Sequence, residues 1–272
     1  MTVIQMGPQD GLYYEYFPVS NEKCVTFVFF NAITSDTNAW ETVIARSLRE
    51  SGHGTLTFNY RGQTDSPFSP DLTLDENLIV SDAITLLNEI KPKRPLFVGL
   101  SIGGLFAART YLAGSSACGL VLINTLRKNG PRLQWVGDAL VRAVTVGGLD
   151  MFRDLFLPLL MNEQWQQENR KSFLKEPPDY QPLSENHGHF KLLSAAGRLS
   201  DWDVVYEKLD LPCLVVTGLQ DHVFLELDVV DELCSRLPKM KRIDIEGAGH
   251  LLPAEVPEEL VVSLNAFAQE IE

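Results

Sequence analysis

The segment Val98-Gly99-Leu100-Ser101-Ile102-Gly103-Gly104 constrains the fold of this chain more than any other. A serine stands between two glycines at the spacing G-x-S-x-G, after an apolar run and before a helix-like run. This order predicts a strand that turns sharply into a helix, where side chains at the glycines would collide with the backbone. The helix begins just after Ser101, so its free N–H groups and positive dipole end point at any anion formed there. Ser101 is therefore a candidate nucleophile.

Short β-rich runs alternate with longer helix-like ones along the chain. Most β-rich runs are apolar without alternation, as expected when helices cover both faces of a parallel sheet. The predicted strands are 24–30, 54–59, 96–100, 120–124, 213–217 and 241–245, with an antiparallel edge strand at 13–19; the predicted helices are 40–50, 74–90, 102–113, 225–237 and 253–271. We expect an α/β fold with a doubly wound, mostly parallel sheet that binds ligands at the carboxyl ends of its strands.

One long interval interrupts this alternation. From Leu126 to about Glu207 there is no convincing strand, but several amphipathic segments rich in Leu, Phe and Trp, at 133–146, 148–160, 162–174 and 190–198. We interpret residues 126–207 as a helical cap subdomain inserted after the sixth strand, with the core formed by 1–125 and 208–272. The alternative is that these helices only pack on the core.

Composition and charge exclude several classes of partner. The net charge of −13 argues against nucleic acid and anionic membranes. No apolar stretch approaches the ~20 residues that a membrane span needs, and Met1 to Asp10 does not resemble a signal peptide. The four cysteines lie far apart without a C-x-x-C pair and indicate reduced core residues. We expect a cytoplasmic protein.

A serine hydroxyl needs a base, and histidine is the side chain that titrates nearest pH 7. His250 follows the last predicted strand, at the same carboxyl edge as Ser101. His53 falls where the first helix ends and is most simply a surface residue. His187 and His189 belong to the predicted cap and are candidates for substrate contact. An H-x-H pair can also hold a metal, but no cluster of carboxylates or cysteines accompanies it, so no metal site is predicted. His250 is the predicted base.

The base needs a carboxylate that fixes its tautomer. Asp221 follows the predicted strand 213–217 through a turn, one helix and one strand before His250. The rivals Glu226 and Asp228 fall inside the following helix, and a helix-capping role for Asp221 is the alternative. Asp221 is the predicted orienting acid.

In the order Ser101, Asp221, His250 the chain resembles the serine hydrolase branch of the α/β-hydrolase fold superfamily nearly end to end. The resemblance is carried by Gly99-Leu100-Ser101-Ile102-Gly103, Asn59-Tyr60-Arg61-Gly62-Gln63-Thr64-Asp65-Ser66, Gly218-Leu219-Gln220-Asp221 and Gly249-His250, with Trp40 after the first loop. Each piece alone is weak, but together and in this order they are specific. The resemblance implies that Arg61 fixes a loop and that Trp40 belongs to the core.

Acyl transfer needs hydrogen-bond donors aimed at the developing oxyanion. The N–H of Ile102, directly after the nucleophile, is the first expected donor. The resemblance places the second in the loop after the first long strand, where relatives carry His-Gly-x and this chain has Asn31-Ala32-Ile33. We expect the N–H of Ile33 to be that donor, completing the oxyanion hole. Asn31 can hold the loop with its amide, and Asn31 and Thr34 are also candidate substrate-binding residues.

The resemblance implies a serine esterase-like hydrolase, similar to small-ester and enol-lactone hydrolases. Such an enzyme cleaves a carboxylic ester, lactone or thioester of a small-molecule acyl substrate through an acyl-enzyme intermediate, with a catalytic triad and no cofactor or metal. Two alternatives remain open: an acyltransferase using the same triad, and a hydrolase-like ligand receptor with slow turnover. The sequence leaves the substrate, and the choice between monomer and homodimer, undetermined.

Overall fold

The computed structural model describes residues 2–271, which contain one eight-stranded sheet. The strands are β1 (Thr2–Gly7), β2 (Asp10–Phe17), β3 (Thr26–Phe30), β4 (Gly54–Phe58), β5 (Pro95–Leu100), β6 (Gly119–Ile123), β7 (Cys213–Gly218) and β8 (Met240–Ile245). Their spatial order is β1-β2-β4-β3-β5-β6-β7-β8. Strands β3 to β8 are mutually parallel, and β2 runs antiparallel to both of its neighbours, β1 and β4. The predicted doubly wound, mostly parallel α/β fold is confirmed.

Helices complete the alternation. They are α1 (Asn38–Glu41), α2 (Ile44–Glu50), α3 (Glu76–Ile90), α4 (Ile102–Leu112), α5 (Pro131–Leu160), α6 (Glu163–Phe173), α7 (Gly188–Leu192), α8 (Leu227–Ser235), α9 (Leu252–Glu255) and α10 (Pro257–Glu270), with a π turn at Leu193–Gly197 and a 3₁₀ turn at Tyr206–Lys208. The helices predicted at 40–50 and 253–271 are each divided in two, as α1 and α2 and as α9 and α10. Segment 253–271 is broken at Pro257, because proline has no N–H with which to continue a helix.

The central strands read as continuous apolar runs because side chains are buried on both faces. In β3, Val28 and Phe30 join one core cluster, while the alternate residues Phe27 and Phe29 join the other. The first cluster contains residues of α3, α4 and α8, and the second contains residues of α2 and α10. Because successive strand residues point to opposite faces, one stretch of sequence contributes to both cores.

The prediction of an edge strand at 13–19 is wrong in one respect. That segment is β2, which pairs with β4 on one side and with β1 on the other. The edge strand is β1, whose residues are exposed or only partly buried. Such a strand contributes little apolar pattern, so it left no clear signal in the sequence.

The segment between β6 and β7, called the insertion below (residues 126–207), contains helices and no strand in the structure. Its two predicted helices at 133–146 and 148–160 run together as α5, with a kink where Gly147 and Gly148 leave helical geometry. Across residues 2–271 no helix is both long and apolar enough to cross a membrane. The division of the chain into a core and a cap subdomain stays a prediction.

Candidate active site

Ser101 lies on the sharp turn between β5 and α4. Its backbone has φ +58° and ψ −125°, a conformation that non-glycine residues rarely adopt. A Cβ at Gly99 would lie 2.3 Å from the Gly104 Cα, and one at Gly103 would lie 2.3 Å from the carbonyl oxygen of Phe30. The predicted collisions are therefore present, and the glycines of the motif are required for the turn that presents the hydroxyl.

Asp221 and His250 form a buried pair at the same edge of the sheet. His250 Nδ1 lies 2.6 Å from Asp221 Oδ2, and both side chains are at most 4% exposed. Asp221 Oδ1 accepts hydrogen bonds from the N–H groups of Val223 and Phe224. Burial by itself raises the pKa of Asp221, but His250, the N–H of Phe224 and the charge of Arg127 lower that pKa to about 2. Asp221 is therefore ionised at neutral pH.

A side chain that the sequence reasoning did not single out joins the loops of this pair. Asn124 follows β6 with φ +48°, a conformation that asparagine tolerates better than most residues. Its Nδ2 donates to the carbonyl oxygens of Gly249 and His250, both at 2.9 Å, and its Oδ1 accepts from the Gly218 N–H at 2.8 Å. One side chain thus ties the end of β7 to the loop that carries His250.

Glu255, also missed from sequence, holds the same loop from the other side. Its carboxylate accepts from the N–H groups of Gly249 and Leu251, each at 2.8 Å, and from that of Asn162 in the insertion at 2.6 Å. Burial raises the pKa of Glu255 above its ordinary value, and these three N–H groups offset only part of that rise. The N–H of His250 donates to the Leu160 carbonyl oxygen at 2.5 Å, so the loop is bound directly to the insertion.

Asn31 is buried in the loop after β3. Its amide nitrogen lies within hydrogen-bond distance of Phe58 O, Asn59 Oδ1 and Gln63 Oε1, and its Oδ1 accepts from Trp40 Nε1 at 2.9 Å. The side chain is fully buried and holds the loop in place. It does not line the cavity described next.

A cavity of about 230 Å³ opens above Ser101 and His250. Its lining includes Ile33, Thr34 and Ile102, together with apolar side chains of the insertion, among them Leu133, Leu140, Leu149, Phe152, Leu157, Leu160 and Leu193. Within the described part of the chain, the N–H groups of Ile33 and Ile102 make no hydrogen bond. Both are therefore available to a ligand in this cavity.

The two histidines of the insertion lie outside the cavity lining. His187 is exposed and accepts the His189 N–H on its Nδ1 at the start of α7. Burial lowers the pKa of His189. Residues 2–271 contain no group of three or more histidine, cysteine or acidic side chains arranged to hold a metal ion. Arg61 also lies elsewhere, bound through two hydrogen bonds to Asp82 on α3.

Comparison with known proteins decides the family. A model described as the alpha/beta hydrolase family matches residues 27–264. The chain belongs to the alpha/beta hydrolase family. No curated protein sequence matches it.

Solved structures share the fold of this alpha/beta hydrolase at low identity. The hydrolase MGS-M2 from a Medee basin deep-sea metagenome library is 17% identical, with a TM-score of 0.82, over 98% of this chain and 96% of that one. A thermophilic esterase from Thermogutta terrifontis is 19% identical, with a TM-score of 0.79, over 99% and 97%. The enol-lactonase from Burkholderia xenovorans LB400 is 18% identical, with a TM-score of 0.75, over 96% of each chain.

One contact of this alpha/beta hydrolase was not foreseen from sequence. Ser101 Oγ accepts a hydrogen bond from Arg127 Nη2 at 2.9 Å. No hydrogen bond joins Ser101 Oγ to His250 in the structure of residues 2–271. Hydrogen bonds of this kind are often long in unliganded enzymes and tighten when substrate binds.

Proposed function

We propose that this protein is a serine hydrolase that cleaves a carboxylic ester, lactone or thioester through an acyl-enzyme intermediate. The observation that carries the proposal is the buried His250–Asp221 pair, 2.6 Å apart, at the same sheet edge as the strained Ser101. Membership of the alpha/beta hydrolase family supports it. The esterase and enol-lactonase among the structural neighbours act on bonds of the proposed class.

In this mechanism His250 is the general base. Asp221 is ionised and accepts the Nδ1 proton of His250, which leaves Nε2 free to take the proton of Ser101. Ser101 Oγ then attacks the carbonyl carbon, and the imidazolium protonates the leaving oxygen or sulfur. In the second half, His250 activates a water molecule that hydrolyses the acyl-enzyme and restores Ser101.

The N–H groups of Ile102 and Ile33 are the proposed oxyanion hole. Ile102 is the first residue of α4, so its N–H has no partner within the helix and lies at the positive end of the helix dipole. Ile33 belongs to the loop that Asn31 holds rigid. Donors fixed before the reaction stabilise the developing oxyanion without reorganising at that moment.

The insertion is the proposed cap. Its apolar side chains line most of the cavity, which favours a small or medium acyl substrate with apolar parts. Asn124 and Glu255 are proposed positioning residues, because their bonds hold the loop of His250. Thr34 is the proposed substrate contact on the loop after β3, where it lines the cavity. We also propose that the protein is cytoplasmic and that it binds neither nucleic acid nor membranes.

Labelling with a fluorophosphonate and turnover of a chromogenic acyl ester test the proposal. We expect covalent labelling at Ser101 and a burst of product equal to the enzyme concentration. Ser101→Ala abolishes labelling and lowers kcat by about 10⁶-fold, as loss of the nucleophile does in serine hydrolases. Ser81→Ala, on the exposed face of α3, is the matched control, and it keeps the labelling and the kcat of the wild type.

A second pair of variants tests the base. His250→Ala lowers kcat about as much as Ser101→Ala, because the two act as a unit, whereas His222→Ala, an exposed histidine one residue from Asp221, does not. Undiminished activity in Ser101→Ala contradicts the proposal. Product that forms only with an added alcohol or amine acceptor identifies an acyltransferase, and tight ligand binding with almost no turnover identifies a receptor.

A further inference from the structure

Arg127 is a buried cation that faces the proposed nucleophile. It follows β6 and is 7% exposed. Its guanidinium carbon lies 3.9 Å from the ring centre of Phe224 and 4.9 Å from that of Trp202. Its Nη2 donates to Ser101 Oγ at 2.9 Å and to the Asn124 carbonyl oxygen at 3.0 Å. Two aromatic rings and two hydrogen bonds fix the guanidinium at the floor of the cavity.

This cation lacks the partner that other buried charges have. The other buried arginine, Arg61, binds Asp82 through two hydrogen bonds, and His250 is paired with Asp221. Across residues 2–271 no carboxylate oxygen lies within 4.0 Å of an Arg127 nitrogen, and Arg127 Nε is buried without a hydrogen bond. A buried, unpaired charge costs free energy, so its presence beside Ser101 indicates that a ligand supplies the opposite charge.

The guanidinium keeps its charge at neutral pH. Burial lowers the pKa of Arg127 to about 10, although the charge of Asp221 raises it. Asp221 itself is occupied by His250 and by two backbone N–H groups. The carboxylate of Asp221 therefore acts on the charge of Arg127 from a distance and forms no ion pair with the guanidinium.

Arg127 and the proposed oxyanion donor Ile33 lie on different sides of Ser101. The sheet order β3-β5-β6 puts the loop of Ile33 on one side of Ser101 and Arg127 on the other. Its ring neighbour Phe224 in turn contacts His250, with ring centres 4.9 Å apart. An anion bound by Arg127 is therefore a group of the substrate other than the oxyanion formed at the attacked carbonyl.

We propose that Arg127 is the specificity residue of this site and binds a carboxylate carried by the substrate within about four bonds of the scissile carbonyl. This inference rests on the proposed hydrolase function. The distance follows because Arg127 Nη2 is one hydrogen bond from the attacking oxygen. One unpaired cation balances one negative charge, so a monocarboxylate fits and a phosphate dianion leaves charge unbalanced. The rest of the substrate is apolar, as most of the cavity lining is.

Two matched pairs of esters test this inference. Phenyl hydrogen glutarate is compared with phenyl hexanoate, which places the carboxylate on the acyl side. The monoanion 3-carboxyphenyl butyrate is compared with phenyl butyrate, which places it on the leaving group. We expect the wild-type kcat/KM to favour the carboxylate in one pair by about tenfold or more, which also identifies the side of the scissile bond that Arg127 serves.

Variants assign the preference to its residue. Arg127→Met lowers the ratio of kcat/KM for the carboxylate ester to that for its neutral partner by about 100-fold. Arg127→Lys keeps the charge without the planar fork and gives an intermediate ratio, which separates loss of charge from damage to folding. The control is Arg153→Met: Arg153 also lines the cavity but is half-exposed and paired with Asp150, so the ratio is unchanged.

The outcomes separate this inference from the proposed function. Fluorophosphonate labelling of Ser101 with wild-type ratios near 1 in both pairs overturns the role of Arg127 and leaves the hydrolase in place. A preference that Arg153→Met removes and Arg127→Met retains also overturns it. Absence of labelling together with absence of turnover of all four esters overturns the function on which the inference rests.

Discussion

The two sides of Ser101 differ in kind. On the β3 side, the loop around Asn31 is held by neutral amide and indole hydrogen bonds, and it offers a backbone N–H at Ile33. On the β6 to β8 side lie the charged groups: Arg127, Asp221 with its histidine partner, and Glu255. In the proposed mechanism, one side supplies fixed dipoles and the other transfers protons and binds charge. Ser101 lies between them because β5 lies between β3 and β6.

Apart from the loss of Ser101 or His250, the largest fall in kcat is expected from a substitution of Asp221, on the charged side. Asp221→Asn replaces the acceptor of the Nδ1 proton by a side chain that can donate, which favours the wrong tautomer of His250. We expect kcat to fall by about 10⁴-fold with little change in the fold. Steady-state kinetics with a chromogenic ester measure this change.

The matched control for that variant is Asp228→Asn, an exposed acid on the first turn of α8. It removes the same charge from the same region without touching His250, so its kcat stays close to that of the wild type. Equal losses in both variants would mean that general charge near the site, rather than one oriented pair, determines the rate.

On the neutral side the expected effect is smaller. Ile33→Pro removes one backbone N–H from the proposed oxyanion hole, and we expect kcat to fall by about 10²- to 10³-fold. Ile33→Val keeps the N–H and most of the apolar contact, so it serves as the control for side-chain packing. Circular dichroism of both variants monitors the fold. A Pro variant as active as the Val variant would assign the second donor to another group.

The smallest expected effect is a change of unfolding free energy with pH, which arises on the charged side of Ser101 and not on the neutral side. Because the pKa of Asp221 is lowered to about 2 in the folded protein, its ionised form contributes stability above its ordinary value of 3.8. That contribution, about 2 kcal/mol, is lost as the pH falls from about 4 through 2. We therefore expect the gap in unfolding free energy between wild type and Asp221→Asn to narrow by this amount over that range, measured by urea denaturation.

The Asn31 loop provides the comparison, because its hydrogen-bonding side chains do not titrate in this range. Asn31→Ala removes the bonds to Phe58, Gln63 and Trp40 and costs about 3 kcal/mol of stability. That difference from the wild type should stay constant between pH 5 and pH 2. A gap that narrows equally in both variants would show that acid weakens the whole molecule rather than one ion pair.

The predictions from sequence succeeded where a local steric or topological reason determined the structure. The turn at Ser101 followed from glycines two residues to each side, and the parallel strands followed from apolar runs separated by helices. The juxtaposition of Asp221 with His250 followed from their places after β7 and β8, since neighbouring parallel strands end at one edge of the sheet. Each of these inferences needed only near neighbours in the sequence or the order of elements.

The residues that escaped prediction act through partners far away in the chain. Asn124 binds Gly218, Gly249 and His250, and Glu255 reaches Asn162 in the insertion. No spacing rule connects these positions. Asparagine and glutamate are also common enough at turns and helix starts to have a local explanation, so their roles depend on how the loops meet.

The sequence by itself determined the turn at Ser101, the parallel sheet and the order of the candidate residues, because glycine sterics and apolar periodicity act over a few residues. Only the tertiary structure decided that Arg127 is buried against Phe224 and donates to Ser101. From the sequence alone, Arg127 is one basic residue in a polar turn. Its burial without a counterion depends on the rings of Trp202 and Phe224, which lie 75 and 97 residues further along the chain, and the role proposed for its charge depends on that environment.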